Sequence, residues 1–276
     1  MGYIQTDDGV RLFYRDWGNR EGARPILFVS SWSLTSDAWA YQMAPLSEQG
    51  CRCIAFDRRG HGRSDESPTG YGFDRLADDI AALMEALDLR GVTLVGHSMA
   101  TGEIVRCLTR HGSGQSGSGR VAGVVMVGTI TPLMARTGDN PDGVDPAMFE
   151  TFRSEQLLRD FPKWLGDNID PFVNEETSVE MKGWVTGMAL QSSLNALLEC
   201  HRAITSADFR EELPAIAVPT LVVHGERDVT TPLALAERTV ALMPNAALSF
   251  YEGAPHGLFL THRDRFNAEL LAFARR

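Results

Sequence analysis

Gly96-His97-Ser98-Met99-Ala100 carries the strongest chemical signal in the chain. It follows the apolar run Gly91-Val92-Thr93-Leu94-Val95 and leads into Thr101-Gly102-Glu103-Ile104, so a serine stands on a turn between a strand and a helix. A turn that sharp needs small residues two positions to either side. Gly96 meets the first requirement, and Ala100, standing where a second glycine is usual, is small enough for the other. A serine hydroxyl is a poor nucleophile at neutral pH, so Ser98 as nucleophile demands a base, and the base an orienting acid.

Where the serine sits on such an elbow, the partners follow it in the order acid, then histidine. That order removes His61 and His97 from the seven histidines. His111 lies beside a Gly/Ser run, His201 lies in a helical stretch, His224 ends a strand and His262 falls on the closing helix. His256, in Gly253-Ala254-Pro255-His256-Gly257, occupies a loop between the last strand and the last helix and is the expected base. Asp228 follows a strand through Gly225-Glu226-Arg227 and is the expected acid, with Glu226 as the alternative. The other place for an acid, after the preceding strand, reads Gly128-Thr129-Ile130 and has no carboxylate. Two N–H donors must hold a developing oxyanion. The backbone of Met99 is one, and the loop Ser30-Ser31-Trp32-Ser33-Leu34 offers Trp32 as the other.

These groups need a frame that brings distant loops together. An opening hairpin is predicted from residues 2–5 and 10–16, then strands over 25–29, 51–56, 91–96, 121–127, 219–224 and 247–251. Helices are predicted over 73–89, 102–110, 232–242 and 263–276. Such alternation implies an α/β fold with a mostly parallel sheet covered on both faces. Residues 131–207 interrupt it with helical, aromatic-rich sequence and no buried strand. The expected organisation is therefore a core of 1–130 and 208–276 carrying a helical lid of 131–207. Ser31, Leu133, Phe152, Phe161 and Trp184 are the expected substrate contacts. The run over 112–119 reads as a mobile surface loop.

Composition narrows the partners. The chain of 276 residues has a formal net charge of −10 and no basic tract longer than the two arginines that end it, so neither nucleic acid nor an anionic membrane is expected. No apolar run approaches the roughly 20 residues of a membrane span, and the N-terminal residues lack a signal-peptide pattern, which leaves the cytoplasm as the default location. Cys51, Cys53, Cys107 and Cys200 read as core thiols without metal-ligand spacing. No cofactor or metal is called for, and homo-oligomer formation stays open.

With these motifs in place, the sequence resembles the bacterial cofactor-free haloperoxidases and their esterase and perhydrolase relatives in the α/β-hydrolase superfamily. The resemblance runs over nearly the whole chain. It rests on Asp57-Arg58-Arg59-Gly60-His61-Gly62-Arg63-Ser64, Gly96-His97-Ser98-Met99, Thr101-Gly102-Glu103-Ile104, Thr131-Pro132-Leu133, Asp139-Asn140-Pro141-Asp142-Gly143 and Ala254-Pro255-His256-Gly257-Leu258. It implies a serine hydrolase acting through an acyl-enzyme on a small ester or lactone. The group usually has His-Gly-Trp-Pro where this chain has Ser30-Ser31-Trp32-Ser33. That departure bears on perhydrolysis, which in the group depends on the shape of this loop, whereas hydrolysis needs only the triad and two donors. Perhydrolysis, a specialised C–C or amide cleavage, and a ligand-sensing receptor on a hydrolase scaffold remain as alternatives.

Overall fold

Side chains on alternate positions of the central strands point to opposite faces and enter two separate cores. Leu27 and Val29 join one while Ile26 and Phe28 join the other, and Val124 and Met126 oppose Val125 and Val127 in the same way. Strands apolar on both faces require helices on both faces. A computed structural model describes residues 1–20, 24–112 and 120–276. The expected loop over 112–119 lies, from 113 onward, outside the described residues.

The sheet contains β1 (Gly2–Gln5), β2 (Arg11–Gly18), β3 (Pro25–Val29), β4 (Arg52–Phe56), β5 (Val92–His97), β6 (Val121–Val127), β7 (Thr220–Gly225) and β8 (Ala246–Tyr251). Its order is β1-β2-β4-β3-β5-β6-β7-β8. The β1–β2 and β2–β4 pairs are antiparallel and the rest parallel. The mostly parallel α/β architecture expected from the alternation is therefore present. One face carries α2 (Phe73–Ala86), α3 (Met99–His111) and α8 (Leu233–Leu242); the other carries α1 (Ala40–Glu48) and α10 (Arg263–Ala274), with the short α9 (Leu258–Thr261) before it. Between β6 and β7 the chain forms α4 (Pro146–Thr151), a π-helical turn (Phe152–Leu157), α5 (Leu158–Val173), α6 (Val179–Ala189) and α7 (Leu194–Ser206).

Two helix boundaries differ from expectation by three residues. The helix predicted over 102–110 begins at Met99, because Ser98 itself ends the turn and caps the helix. The helix predicted over 73–89 stops at Ala86. Asp88 adopts φ +43°, and Leu89 N–H turns back to the Met84 carbonyl at 2.8 Å, which carries Leu89 into the core. No helix among the described residues is long and apolar enough to cross a membrane.

Because β3 lies between β4 and β5, the chain leaves β3 toward β4 and leaves β5 toward β6 on the opposite side, and a crevice opens at the carboxyl ends of β3 and β5. Val29 pairs with Gly96 there, so the loops of Ser30–Ser31–Trp32 and His97–Ser98 emerge side by side. The ladders of β6, β7 and β8 continue the same edge toward Asp228 and His256.

Candidate active site

Ser98 has φ +56° and ψ −117°, a conformation that costs a non-glycine residue about 1–3 kcal/mol. Its neighbours hold it there. Ser98 N–H donates to the Val127 carbonyl at 2.8 Å, and its own carbonyl accepts from Thr101 N–H at 3.0 Å and Thr101 Oγ1 at 2.7 Å. A Cβ at position 96 would lie 2.6 Å from Ile104 Cδ1 and 3.1 Å from the Ala100 backbone, so the turn closes only with glycine there. Ala100 fits fully buried, which accounts for its tolerance in the motif.

Asp228 and His256 meet although 28 positions separate them. Arg227 N–H donates to the Ala254 carbonyl at 2.9 Å and Glu226 N–H to the Tyr251 carbonyl at 2.9 Å, which draws the loops after β7 and β8 together. His256 Nδ1 then lies 2.6 Å from Asp228 Oδ2. The carboxylate also accepts from Thr230 N–H (2.8 Å), Thr231 N–H (2.9 Å) and Thr231 Oγ1 (2.9 Å). Burial alone would raise its pKa. The neighbouring His256 charge and these hydrogen bonds outweigh burial and hold the carboxyl well below the usual carboxylate range. Glu226, the alternative acid, instead accepts from Gly253 N–H at 2.8 Å.

His256 Nε2, on the other side of the ring, has no hydrogen-bond partner among the described residues. Ser98 and His256 line the same cavity without a hydrogen bond between them, as is common before substrate is present. Gly128 supplies the room: a Cβ there would stand 2.8 Å from His256 Cε1 and Nδ1 and 3.2 Å from Asp228 Oδ2. The position that lacks a carboxylate in the sequence is thus the one against which the His–Asp pair packs.

Facing the elbow is the loop after β3. Trp32 Nε1 donates to the Leu197 carbonyl at 2.9 Å, and the indole packs against Phe152, Phe161 and Trp164. The Trp32 and Met99 amides find no backbone acceptor among the described residues; for Met99 this follows from its opening a helix. Behind the loop lies a buried ion pair that sequence reading did not assign to the site. Arg58 donates to Glu103 Oε1 through Nε at 2.8 Å and also through Nη2, to the Ser31 carbonyl through Nη1 at 3.1 Å, and to the Ser30 carbonyl through Nη2 at 2.7 Å. Glu103 belongs to α3, so one guanidinium joins this loop to the serine's helix. His97 was likewise passed over. Excluded as a base by order, it donates from Nε2 to the His256 carbonyl at 3.0 Å, and burial pushes its pKa down, which favours the neutral ring.

A cavity of about 910 Å³ opens above these groups. Among its lining residues are Ser31, Trp32, Ser98, Phe149, Phe152, Trp164, Phe172, His201 and His256. Ser31 and Phe152 thus stand where they were expected. Leu133, Phe161 and Trp184 do not line it. Leu133 pairs through its backbone with Asp208, and the adjacent Met134 takes the wall. Trp184 lies one residue before Val185, which rotates it by about 100° on α6, and its ring meets Tyr41 instead. Phe161 is on the right stripe of α5, but its ring packs edge-on against Trp32 and parallel to Trp164, and so supports the wall without forming it.

An eight-stranded, mostly parallel sheet with a strained serine elbow after β5 and an Asp–His pair after β7 and β8 defines a class. The chain belongs to the alpha/beta hydrolase fold family, whose model matches residues 24–263. Within that family it is 40% identical over 283 residues to a non-heme chloroperoxidase of Streptomyces lividans, covering 100% of both chains. It is 36% identical to a bifunctional esterase/perhydrolase of Acinetobacter calcoaceticus, again over 100% of each. A solved esterase from Exiguobacterium antarcticum superimposes with a TM-score of 0.94 at 28% identity, covering 100% of both chains. The resemblance to the haloperoxidase and esterase group is borne out, and the protein is an enzyme of the α/β-hydrolase superfamily.

Proposed function

We propose that this enzyme hydrolyses a small carboxylic ester or lactone through an acyl-enzyme on Ser98. The observation that carries the reading is the short Asp228–His256 contact, with Nε2 left unpaired beside a serine held in a strained turn. Ser98 Oγ attacks the carbonyl carbon while His256 Nε2 takes its proton, and Asp228 fixes the proton on Nδ1 and stabilises the imidazolium. The Met99 and Trp32 N–H groups receive the oxyanion. His256 returns the proton to the leaving alkoxide, and in the second half water, activated by the same nitrogen, releases the acid. The helical segment 131–207 acts as a lid, its aromatic side chains walling the apolar part of the cavity.

Ser98→Ala is expected to lower kcat for short p-nitrophenyl esters and simple lactones by about 10⁴- to 10⁶-fold, since the triad acts as a unit. Steady-state rates and the loss of a pre-steady-state p-nitrophenol burst test it. Undiminished turnover in the variant would remove Ser98 as nucleophile.

A second reading is favoured by the names of the relatives. Hydrogen peroxide, in place of water, would attack the acyl-enzyme to give a peracid and free Ser98. Ser33 has φ +67°, which proline, fixed near −65°, cannot adopt, so the loop differs here from one that carries proline after its tryptophan. Acetate- and peroxide-dependent bromination of monochlorodimedone measures this activity, and it is expected to stay well below the rate of ester hydrolysis. A bromination rate equal to hydrolysis would reverse the ranking.

A further inference from the structure

His201 stands in the cavity wall, and its chemistry differs from that of its surroundings. On α7 it faces the cavity in company with Trp32, Phe149 and Phe152, at ring-centroid distances of 6.1, 6.0 and 4.7 Å. On the side away from the cavity its Nδ1 lies 3.1 Å from Arg153 Nη1. A guanidinium only donates and stays protonated, so Nδ1 must be the acceptor and the ring proton must sit on Nε2. Arg153 is itself fixed, through Nη1 to Thr205 Oγ1 at 3.2 Å and through Nη2 to Glu150 Oε2 at 2.7 Å. The π-helical turn arranges both partners: Phe152, its first residue, enters the wall, and Arg153, the next, reaches behind it.

Among the described residues nothing accepts the Nε2 proton. His201 is only partly buried where it lines the cavity, so a ligand that excludes solvent from this donor must supply an acceptor or leave it unpaired at a cost. That acceptor is neutral. Burial, followed by the Arg153 charge, lowers the imidazole pKa to about 4, so the ring carries no charge near neutrality. The positive charge of Arg153 is matched by Glu150, and Arg136, also in the wall, is paired with Asp145 at 2.8 Å.

We propose that His201 Nε2–H is a substrate-recognition donor. The enzyme selects esters or lactones whose body carries a neutral acceptor oxygen, such as a ketone, ether or amide carbonyl, away from the scissile carbonyl, and seats that oxygen on His201. This inference rests on the hydrolytic reading and names its substrate class.

The experiment compares kcat/KM within one protein for p-nitrophenyl hexanoate and analogues with a ketone at successive chain positions, and for the matching alkyl esters with the ketone on the alcohol side. Wild type is expected to prefer one oxo analogue by about 5- to 10-fold, the effect of one neutral hydrogen bond. His201→Leu should bring that ratio to about one, and His201→Gln, which keeps an N–H donor, should restore part of it. Arg153→Met, which frees the tautomer, should lower it by less than His201→Leu. Because each readout is a ratio, general damage to the fold cancels. No oxo preference in wild type, or a preference unchanged in His201→Leu, overturns the proposal. If Ser98→Ala abolishes turnover in the same series, that failure belongs to His201 alone; turnover surviving in Ser98→Ala instead removes the hydrolytic reading.

Discussion

Asp228→Asn is expected to lower kcat for ester hydrolysis by about 10⁴-fold while changing KM little, through a change of tautomer in His256. The carboxylate makes two kinds of contact. Oδ1 accepts from the Thr230 and Thr231 backbone amides, and Oδ2 from Thr231 Oγ1 and His256 Nδ1. Asparagine has one acceptor and one donor in the same shape. Two backbone N–H groups hold its oxygen on the Oδ1 side, which turns its NH₂ toward His256. Nδ1 must then accept, its proton moves to Nε2, and Nε2 can no longer take the proton of Ser98. Rates with p-nitrophenyl esters and the tautomer by nitrogen NMR check this together. A kcat within about tenfold of wild type, set against the rate loss that a wrong tautomer causes, would show that Asp228 does not govern the base. The substitution also touches stability. The folded-state pKa of Asp228 is lowered, so its contribution is present above the ordinary carboxylate value near ~4 and is lost as pH falls through the folded value. Asparagine removes that contribution at neutral pH.

Glu103→Ala carries the largest expected cost in stability, about 3–5 kcal/mol, because it leaves the Arg58 guanidinium buried without its counter-charge. Burial already works against this carboxyl, raising its pKa despite the pull of Arg58. The same substitution should act on the rate. Arg58 holds the Ser30 and Ser31 carbonyls, and those carbonyls set the direction of the Trp32 amide. Released, the loop loses its aim at the oxyanion, and kcat should fall by about 10²-fold, as for loss of one oxyanion donor. Chemical denaturation measures the first effect. Rates taken where the variant is fully folded measure the second, together with affinity for a boronic acid that mimics the tetrahedral intermediate and should weaken in step. A folded variant with unchanged kcat and boronate affinity would leave the ion pair as a purely structural link.

The Ser98 elbow and its Asp228–His256 partners were legible because their signals are local. The elbow announces itself through small residues around Ser98 at a strand–helix junction, a backbone requirement readable from five positions. Asp228 and His256 were legible for a related reason, since each follows a strand by a few residues and parallel strands deliver such loops to one edge. The supporting residues gave no comparable sign. Arg58 and Glu103 stand in two of the motifs that carry the resemblance, but they are 45 positions apart and nothing in their types shows that they pair until the fold buries both. Gly128 is an ordinary loop glycine until His256 comes to rest where its Cβ would be. Trp184 misses the cavity by a rotation of one residue on its helix, whereas Phe161 faces the right way but is covered by the Trp32 and Trp164 rings.

By itself, then, the sequence determined the alternation of strands and helices, the class of fold, the serine on its turn and the order of its partners. The first three follow from periodicity and backbone sterics over short stretches, and the order of the partners from the chain order that the serine-elbow fold imposes. Only the tertiary structure decided which charges are buried, how the loop bearing Trp32 is tied to the helix of Ser98, and which aromatic rings wall the cavity. It also decided that Arg153 sets the proton of His201. Those outcomes depend on side chains far apart in the chain meeting at hydrogen-bonding distance, and residue type alone does not record such meetings.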